Sequence, residues 1–177
     1  MKVQDAIKAR LSIRRYEDAT IPDKDMEVLL KTLQLSPSAN NSQNWEFVFV
    51  HDSDLKHTLI PACSNQKFVG DCTYFIAAAA DPGLKWHMVD ITIALANLTL
   101  QAVELGYGTC WIGAFDENQV KQILNVPHDK KVVICMALGK PKGKHVPKSR
   151  KTIESFVYLN RFGRPWTKKK SKTDPEK

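Results

Sequence analysis

The sequence predicts one compact domain of mixed α and β structure, and three observations lead to that expectation. The chain has 177 residues, 43% hydrophobic and 25% charged, which is ordinary for a single globular domain. Segments with helical spacing of apolar residues alternate with short aromatic or β-branched runs. No internal repeat and no Pro/Gly/Ser-rich linker interrupts residues 1–166. We therefore expect one domain over residues 1–166 and a basic tail over residues 167–177.

The first half of the chain predicts two helices and two strands. Residues 3–10 form a short helix. Residues 23–35 form the second helix, because four apolar side chains recur at helical spacing, namely Met26, Leu29, Leu30 and Leu33. Residues 45–51 (WEFVFVH) are aromatic and β-branched and predict a strand. Residues 73–80 (TYFIAAAA) predict another, although an alanine run is less typical of strands.

The central helix is predicted over residues 86–105, ending at Gly106. It is apolar on nearly every face, so we expect it to be buried on all sides. Its length of about 30 Å spans a small domain, and in so short a chain a partner subunit is expected to cover part of it. Asp90 stands out in this helix because a buried carboxylate needs a partner. We expect that partner in a cap or loop contact across a dimer.

The remaining elements follow from short-range signals. Residues 109–113 predict a strand or an extended segment. Asp116, with Gln119 three residues later, resembles a capping box that opens a helix running to Leu124. Residues 131–138 (KVVICMAL) predict a continuous apolar strand that stops at Gly139. Residues 152–166 are either a strand or an arm reaching another subunit.

The net charge of +7 is not spread over the fold. Residues 1–139 carry 13 Lys and Arg against 16 Asp and Glu, whereas residues 140–177 carry 13 against 3. The tail TKKKSKTDPEK has no apolar residue to bury and predicts a solvated, disordered segment. It lacks interleaved aromatic residues, so the composition does not support nucleic acid as a partner.

Membrane insertion and metal binding are not predicted. The N-terminus has no apolar targeting segment and no window reaches about 18 consecutive apolar residues, so we expect a cytoplasmic protein. Four cysteines are present, but none forms a C-x-x-C pair or has a histidine at zinc-like spacing. Standard nucleophile, zinc and nucleotide motifs are also missing from the sequence. An enzyme of this sequence would therefore need a cofactor for its reactivity.

Residues 10–14 form a basic segment just after the first helix. Arg10, Ser12 and Arg14 alternate there, and in an extended chain alternate side chains lie on one face. Two guanidinium groups and a hydroxyl suit a phosphate. A solvated basic turn has the same composition, so this pattern alone leaves both interpretations open.

Residues 36–45 (SPSANNSQNW) form a polar loop between a helix and a strand. Its short hydrogen-bonding side chains suit the edge of a polar heterocycle. The same residue types are common in turns and helix caps for backbone reasons, so the loop alone does not identify a ligand.

Taken in order, four motifs resemble the nitroreductase family of FMN enzymes. R-x-S-x-R-x-Y begins at Arg10, and S-P-S-A-N-N-S-Q-N-W begins at Ser36. G-Y-G-T-C-W-I-G-A-F begins at Gly106, after the long central helix, and K-S-R begins at Lys148. The resemblance covers residues 8–152. It implies a central, largely antiparallel sheet flanked by helices, an interlocked homodimer, and FMN bound at the subunit interface.

The resemblance also implies the residues that bind the cofactor. The FMN phosphate and ribityl chain are expected at Arg10, Ser12, Arg14, Lys148 and Arg150. The flavin held by the opposite subunit is expected against Pro37, Ser38 and Ala39, with Asn41 and Gln43 fixing the loop. Asn65 is expected at the pyrimidine edge of the ring, and the backbone amides of Gly113 and Ala114 near flavin N5 and O4. No side chain is expected to act as a catalytic acid, base or nucleophile.

The function that the resemblance implies is electron transfer from NAD(P)H to a small organic acceptor such as a nitroaromatic compound or a quinone, in a ping-pong order. Two alternatives stay open. One alternative is a flavin-binding protein that sequesters FMN with little turnover, and the other is a specialised relative of dehalogenase or dehydrogenase type. It departs from the family at Asn44, where proline is usual, and at Gly113, where some members carry an acidic residue.

Overall fold

The computed structural model describes residues 1–167, which form two compact units, Met1–His145 and a second that begins at Val146. The first unit contains, in chain order, α1 (Val3–Ala9), α2 (Asp23–Gln34), β1 (Glu46–Val50), α3 (Ser53–Ala62), α4 (Phe68–Asp71), β2 (Tyr74–Ala80), α5 (His87–Glu104), β3 (Gly108–Ile112), α6 (Glu117–Leu124) and β4 (Lys131–Gly139). Every predicted helix and strand up to residue 139 is confirmed to within one residue at each end. The capping box is confirmed in part, because the Asp116 carboxylate accepts the Gln119 N–H at 3.0 Å.

The four strands form one sheet in the order β1-β2-β4-β3, with every neighbouring pair antiparallel. The α+β fold with a largely antiparallel sheet is therefore confirmed. The two central strands are the most apolar, because helices cover both of their faces. The alanine run of β2 belongs here, where residues 77–80 are at most 2% exposed. Small side chains at the centre of the sheet let the covering helices approach closely.

Each face of the sheet packs against its own set of helices. Phe75, Ala77 and Ala79 of β2 point into a core shared with α3, α4 and α6. Ile76 and Ala78 point to the opposite side, into a core shared with α2 and α5. This division follows from the two-residue period of a strand. Cys110 and Cys135, expected to be small core residues, are 1% and 0% exposed.

Helices α3 and α4 were not predicted from the sequence. The N-cap of α3 is Asp52, whose carboxylate accepts the Leu55 N–H at 2.7 Å. Pro61 lies in the last turn of α3 and conceals it, because proline is rare inside helices. The four residues of α4 are too few to show any helical period.

The two helical layers differ in their outer surfaces. Exposed large apolar side chains occur on or next to α1, α2 and α5, which we call the open layer; they are Met1, Val3, Ile7, Val28, Leu30, Leu35, Leu84, Trp86, Met88 and Val89. Within Met1–His145, none occurs on α3, α4 or α6, which we call the closed layer. In the single chain α5 is therefore not buried on all sides, and the expectation that a partner subunit covers part of it stays a prediction. Met88 and Val89 are 52% and 48% exposed because α5 buries only the side that faces the sheet and α2.

The second unit has little regular structure up to residue 167. It contains a 3₁₀ turn at Ile153–Ser155 and a single bridge between Tyr158 and Pro165. Of the two alternatives for residues 152–166, the strand is therefore wrong, and the arm stays a prediction. Most of the predicted disordered tail, residues 168–177, lies outside the described residues. Across residues 1–167, no helix is long and apolar enough to cross a membrane.

Candidate functional site

The basic segment runs alongside the outer strand β3. The Ile13 N–H donates to the Thr109 carbonyl at 2.9 Å, and Ser12 forms a parallel bridge with Thr109. Ile13 is 5% exposed and packs into the core of the closed layer, together with Leu11. Because side chains alternate along an extended chain, Arg10, Ser12 and Arg14 lie on the opposite, outer face. The predicted arrangement of two guanidinium groups and a hydroxyl on one face is thus compatible with this backbone.

Both guanidinium groups of this face lack internal partners. Among residues 1–167, no ion pair involves Arg10 or Arg14. Burial raises the pKa of the Cys110 thiol, and the positive charge of Arg14 opposes that shift. This effect means that Arg14 lies close to β3. Positive charges that no carboxylate neutralises attract anions, so this face favours an anionic ligand.

The far end of β3 leads into two exposed residues, Gly113 and Ala114. Outside the sheet, no hydrogen bond among the described residues uses their N–H groups. The Ala114 carbonyl, in contrast, accepts from Ser64 Oγ at 3.2 Å and from Gln66 Nε2 at 3.3 Å. These bonds tie the loop after α3 to the loop after β3. Asn65 lies between the two donors, with its backbone in the left-handed region.

The structure therefore brings Asn65 into the neighbourhood of Gly113 and Ala114, as the resemblance implies. Ser64 and Gln66 were not predicted, because α3, the helix that precedes them, was not predicted either. Thr109, where the basic segment pairs, and Gly113 are four residues apart, which is about 13 Å along a strand. Beyond Ser12, no described residue pairs with this edge of β3. The resulting surface is elongated, with the cations of the basic segment at one end and the exposed residues Gly113 and Ala114 at the other.

The polar loop is held in shape by hydrogen bonds within the chain. Asp90 of α5 accepts from the Ala39 N–H at 3.0 Å and from Ser42 Oγ at 3.4 Å. The Ser38 hydroxyl accepts the Gln43 N–H at 2.9 Å. Asp90 is 3% exposed, so the expectation of a buried carboxylate is confirmed. The expectation that its partner lies across a dimer is wrong, because residues of the same chain supply both hydrogen bonds.

Other residues of the polar loop face solvent or close its end. Pro37 and Asn41 are exposed, and Gln43 donates from Nε2 to the Asn41 carbonyl at 3.3 Å. Asn44, which departs from the family pattern, donates to the Asp81 carbonyl at 3.0 Å and accepts the Asp81 N–H at 3.1 Å. Proline could not donate or accept in this side-chain pair, so the departure has a structural role in this chain.

Within the first unit, the predicted site residues fall into two groups. One comprises the basic segment, Asn65, Gly113 and Ala114, which gather around β3. The other is the polar loop, which is anchored to α5. Among the described residues, no hydrogen bond or β-bridge joins the loop to the first group. Lys148 and Arg150 belong to the second unit, where both are exposed and Arg150 donates to the Lys148 carbonyl at 3.4 Å.

A cavity of about 750 Å³ lies elsewhere in the first unit. Its walls carry cations and carboxylates alike, including Arg15, Lys56, Asp18 and Asp71, so they do not favour one ligand charge. None of the predicted site residues lines it, and none lines a smaller cavity of about 180 Å³ between α1 and α5. The predicted residues instead form open surfaces in the single chain.

Comparison with known proteins gives consistent matches. Residues 2–170 match the family described as "Putative TM nitroreductase". An Archaeoglobus fulgidus protein named "Putative NADH dehydrogenase/NAD(P)H nitroreductase" is 32% identical over 145 residues, covering 77% of this chain and 83% of the relative. An FMN-dependent nitroreductase of Clostridium difficile is similar in structure, with a TM-score of 0.80 and 26% identity, covering 89% of this chain and 98% of that one. The NADPH:FMN oxidoreductase of Vibrio harveyi shares the fold, with a TM-score of 0.84 at 24% identity over 90% of this chain and 77% of that one.

Proposed function

Because the chain belongs to the nitroreductase family, we propose that it is an FMN-dependent oxidoreductase that passes electrons from NAD(P)H to a small organic acceptor. The observation that carries this proposal is the basic segment. Arg10, Ser12 and Arg14 lie on one outer face along β3, and within the described chain no carboxylate neutralises the two arginines. Such a surface fits the phosphate of FMN, which is an anion with several strong acceptor oxygens.

The rest of the surface along β3 fits the flavin ring. A ring whose phosphate lies at the basic segment would extend toward the exposed residues Gly113 and Ala114, whose backbone amides suit the acceptor atoms N5 and O4. Asn65 offers both a donor and an acceptor for the pyrimidine edge. Lys148 and Arg150 are proposed, from the sequence resemblance, to add positive charge at the phosphate.

We infer that the working protein is a homodimer with FMN at the subunit interface. Exposed apolar residues concentrate in the open layer, and patches of this kind mark association surfaces. The polar loop is anchored to α5, a helix of that same layer. A second copy covering the open layer would therefore also meet the polar loop. That arrangement accounts for the separation of the predicted residues into two groups within one chain.

In this proposal no side chain acts as an acid, a base or a nucleophile. FMN, when bound, supplies the group that accepts and returns electrons, while the protein binds, orients and shields it. The basic segment would hold the phosphate, and the amides of Gly113 and Ala114 would orient the ring. Pro37, Ser38 and Ala39 would cover a ring face from the partner subunit and leave room for the nicotinamide and the acceptor in turn. This use of one site by two substrates gives a ping-pong order.

The experiment that tests the proposal begins with the purified protein. We expect it to be yellow and to release FMN on denaturation. It should then oxidise NADH or NADPH steadily when nitrofurazone or menadione is supplied. A yellow protein without steady turnover would support the flavin-sequestering alternative. A protein that neither contains nor binds FMN would contradict the proposed function.

A further inference from the structure

Asp90 is a buried carboxylate whose hydrogen-bond partners all come from one loop. It lies in the first turn of α5 and is 3% exposed. Oδ1 accepts the Ala39 N–H at 3.0 Å, and Oδ2 accepts the Ser42 hydroxyl at 3.4 Å. Among residues 1–167, no lysine, arginine or histidine forms an ion pair with it. Its charge is therefore stabilised by the polar loop and by the N-terminal end of its own helix.

Burying a charge without compensation is costly, so this carboxylate and the loop depend on each other. If the loop moved away, Asp90 would lose both of its partners. Conversely, if Asp90 were removed, the loop would lose two bonds that fix Ala39 and Ser42. Hydrogen bonds to charged groups are stronger than those between neutral groups. The two bonds to Asp90 are therefore the main attachment of the polar loop to α5.

A second contact holds the beginning of the same loop. Asn97 lies two helical turns beyond Asp90 on α5, and its Nδ2 donates to Ser36 Oγ at 2.9 Å. The Ser36 hydroxyl in turn donates to the Thr32 carbonyl at 2.9 Å, which links the loop to the end of α2. The polar loop is thus attached to α5 at its beginning, through Ser36, and at its middle, through Ala39 and Ser42.

The loop needs these attachments because its backbone is strained. Asn40, Asn41 and Gln43 have φ values of 52°, 54° and 50°, in the left-handed region. Asparagine tolerates this region better than most residues, whereas glutamine does not. Conformations of this kind persist only where surrounding contacts hold them, and they cluster at ligand-binding sites.

We propose that Asp90 is a positioning residue for the flavin ring. Its carboxylate does not touch the cofactor; it fixes Ala39 and Ser42 so that the polar loop keeps the shape that fits the ring face. This inference rests on the proposed function, in which the loop covers a flavin whose phosphate is held by the partner subunit. It assigns a role to a residue that lies outside the set predicted to contact FMN.

The test compares Asp90→Ala, Asp90→Asn and Ser42→Ala with the wild type by flavin binding. Asp90→Ala should weaken FMN and riboflavin equally, by about tenfold, because the ring and not the phosphate loses its complementary surface. Asp90→Asn should bind both flavins within about threefold of the wild type, because an amide can accept from Ala39 and donate to the Ser42 hydroxyl. Ser42→Ala should have a smaller effect than Asp90→Ala. It should add nothing in the double variant, because its only side-chain partner is already gone.

Asp25→Asn is the matched control. Asp25 accepts the Tyr107 hydroxyl at 2.7 Å on α2, in the same open layer, but has no contact with the loop. Its variant should lower the melting temperature of the apoprotein without changing either flavin dissociation constant. Asp90→Ala binding both flavins as tightly as the wild type would overturn the inference. If that variant does not fold, Ser42→Ala carries the test: weaker binding of both flavins, with Asp90→Asn close to the wild type, supports the inference, and unchanged binding of both flavins by Ser42→Ala overturns it. Wild-type protein that binds no flavin would overturn the proposed function instead.

Discussion

The open and closed layers bury the two faces of one sheet in different ways. Within Met1–His145 the closed layer has no exposed large apolar side chain, so the single chain itself covers the apolar surface on that side of the sheet. The open layer also buries a core, but Trp86, Met88 and Val89 remain about half exposed. The difference shows that an apolar helix surface on a small chain need not be core of that chain. It is also the surface through which we expect a second copy to bind.

The two layers also hold the two groups of predicted site residues differently. The basic segment is attached to the closed layer through Ile13, and within residues 1–167 its arginines form no ion pair. The polar loop is attached to the open layer, and Asp90 and Ser38 already use its main hydrogen-bonding groups. The first group is therefore suited to binding charge, and the second to presenting a fixed shape. A cofactor with an anionic end and a flat ring needs both.

The largest effect is expected from a charge on the open layer. Val89→Glu would place a carboxylate on an apolar face that the proposed dimer buries, where desolvating the charge is costly. Equilibrium sedimentation should then show monomers, and the purified protein should lose its flavin. Gln122→Glu on α6 is the matched control, because it adds the same charge to an exposed position of the closed layer. A monomeric Val89→Glu variant that binds FMN as tightly as the wild type would contradict the interface proposed for this layer.

A smaller effect, a loss of folding stability, is expected at Gly108, where the basic segment packs against β3 through Ile13. A Cβ at Gly108 would collide with the side chain of Ile13 and crowd Pro141, whereas one at Gly113 would make an ordinary contact with Ile134 at 3.8 Å. Neither glycine has the positive φ that disfavours alanine. Gly108→Ala should therefore lower the free energy of unfolding by about 1–3 kcal/mol, the usual cost of overpacking. Gly113→Ala should change it by less than about 0.5 kcal/mol, as surface substitutions do. Urea denaturation measures the free energy of unfolding of both variants. Equal decreases would mean that the contact with Ile13 does not cause the instability of Gly108→Ala.

How far the sequence predicts this molecule depends on the distance over which each signal acts. The periodicity of α2 and the apolar run of β4 are local signals, and both elements appear within a residue of their predicted ends. The alternation of Arg10, Ser12 and Arg14 is also local, and the backbone supports it. The partner of Asp90 is not local. Composition shows that a buried carboxylate needs a donor, but only the packing of α5 beside the polar loop shows that Ala39, 51 residues away in the same chain, supplies it.

The smallest effect is expected at the C-terminus. Residues after Trp166 include no apolar side chain that would anchor them to the domain. Truncation after Trp166 should leave the flavin content and the turnover number close to those of the full chain. A collapse of activity would mean that the basic tail contributes to the site. A truncated protein with normal activity but altered salt dependence would instead indicate long-range electrostatic attraction of an anionic substrate.

The proposed binding of the FMN phosphate at the basic segment is tested by comparing the dissociation constants of FMN and riboflavin. Charge-assisted hydrogen bonds contribute roughly 1.5–3 kcal/mol each, so Arg10→Ala and Arg150→Ala should each weaken FMN binding roughly ten- to a hundredfold. Riboflavin, which lacks the phosphate, should bind nearly as before. Lys8→Ala, which removes an exposed charge from α1, is the control for general electrostatics. Dissociation constants from fluorescence quenching decide the question: a selective loss of FMN binding supports the account, and equal losses for both flavins would contradict it.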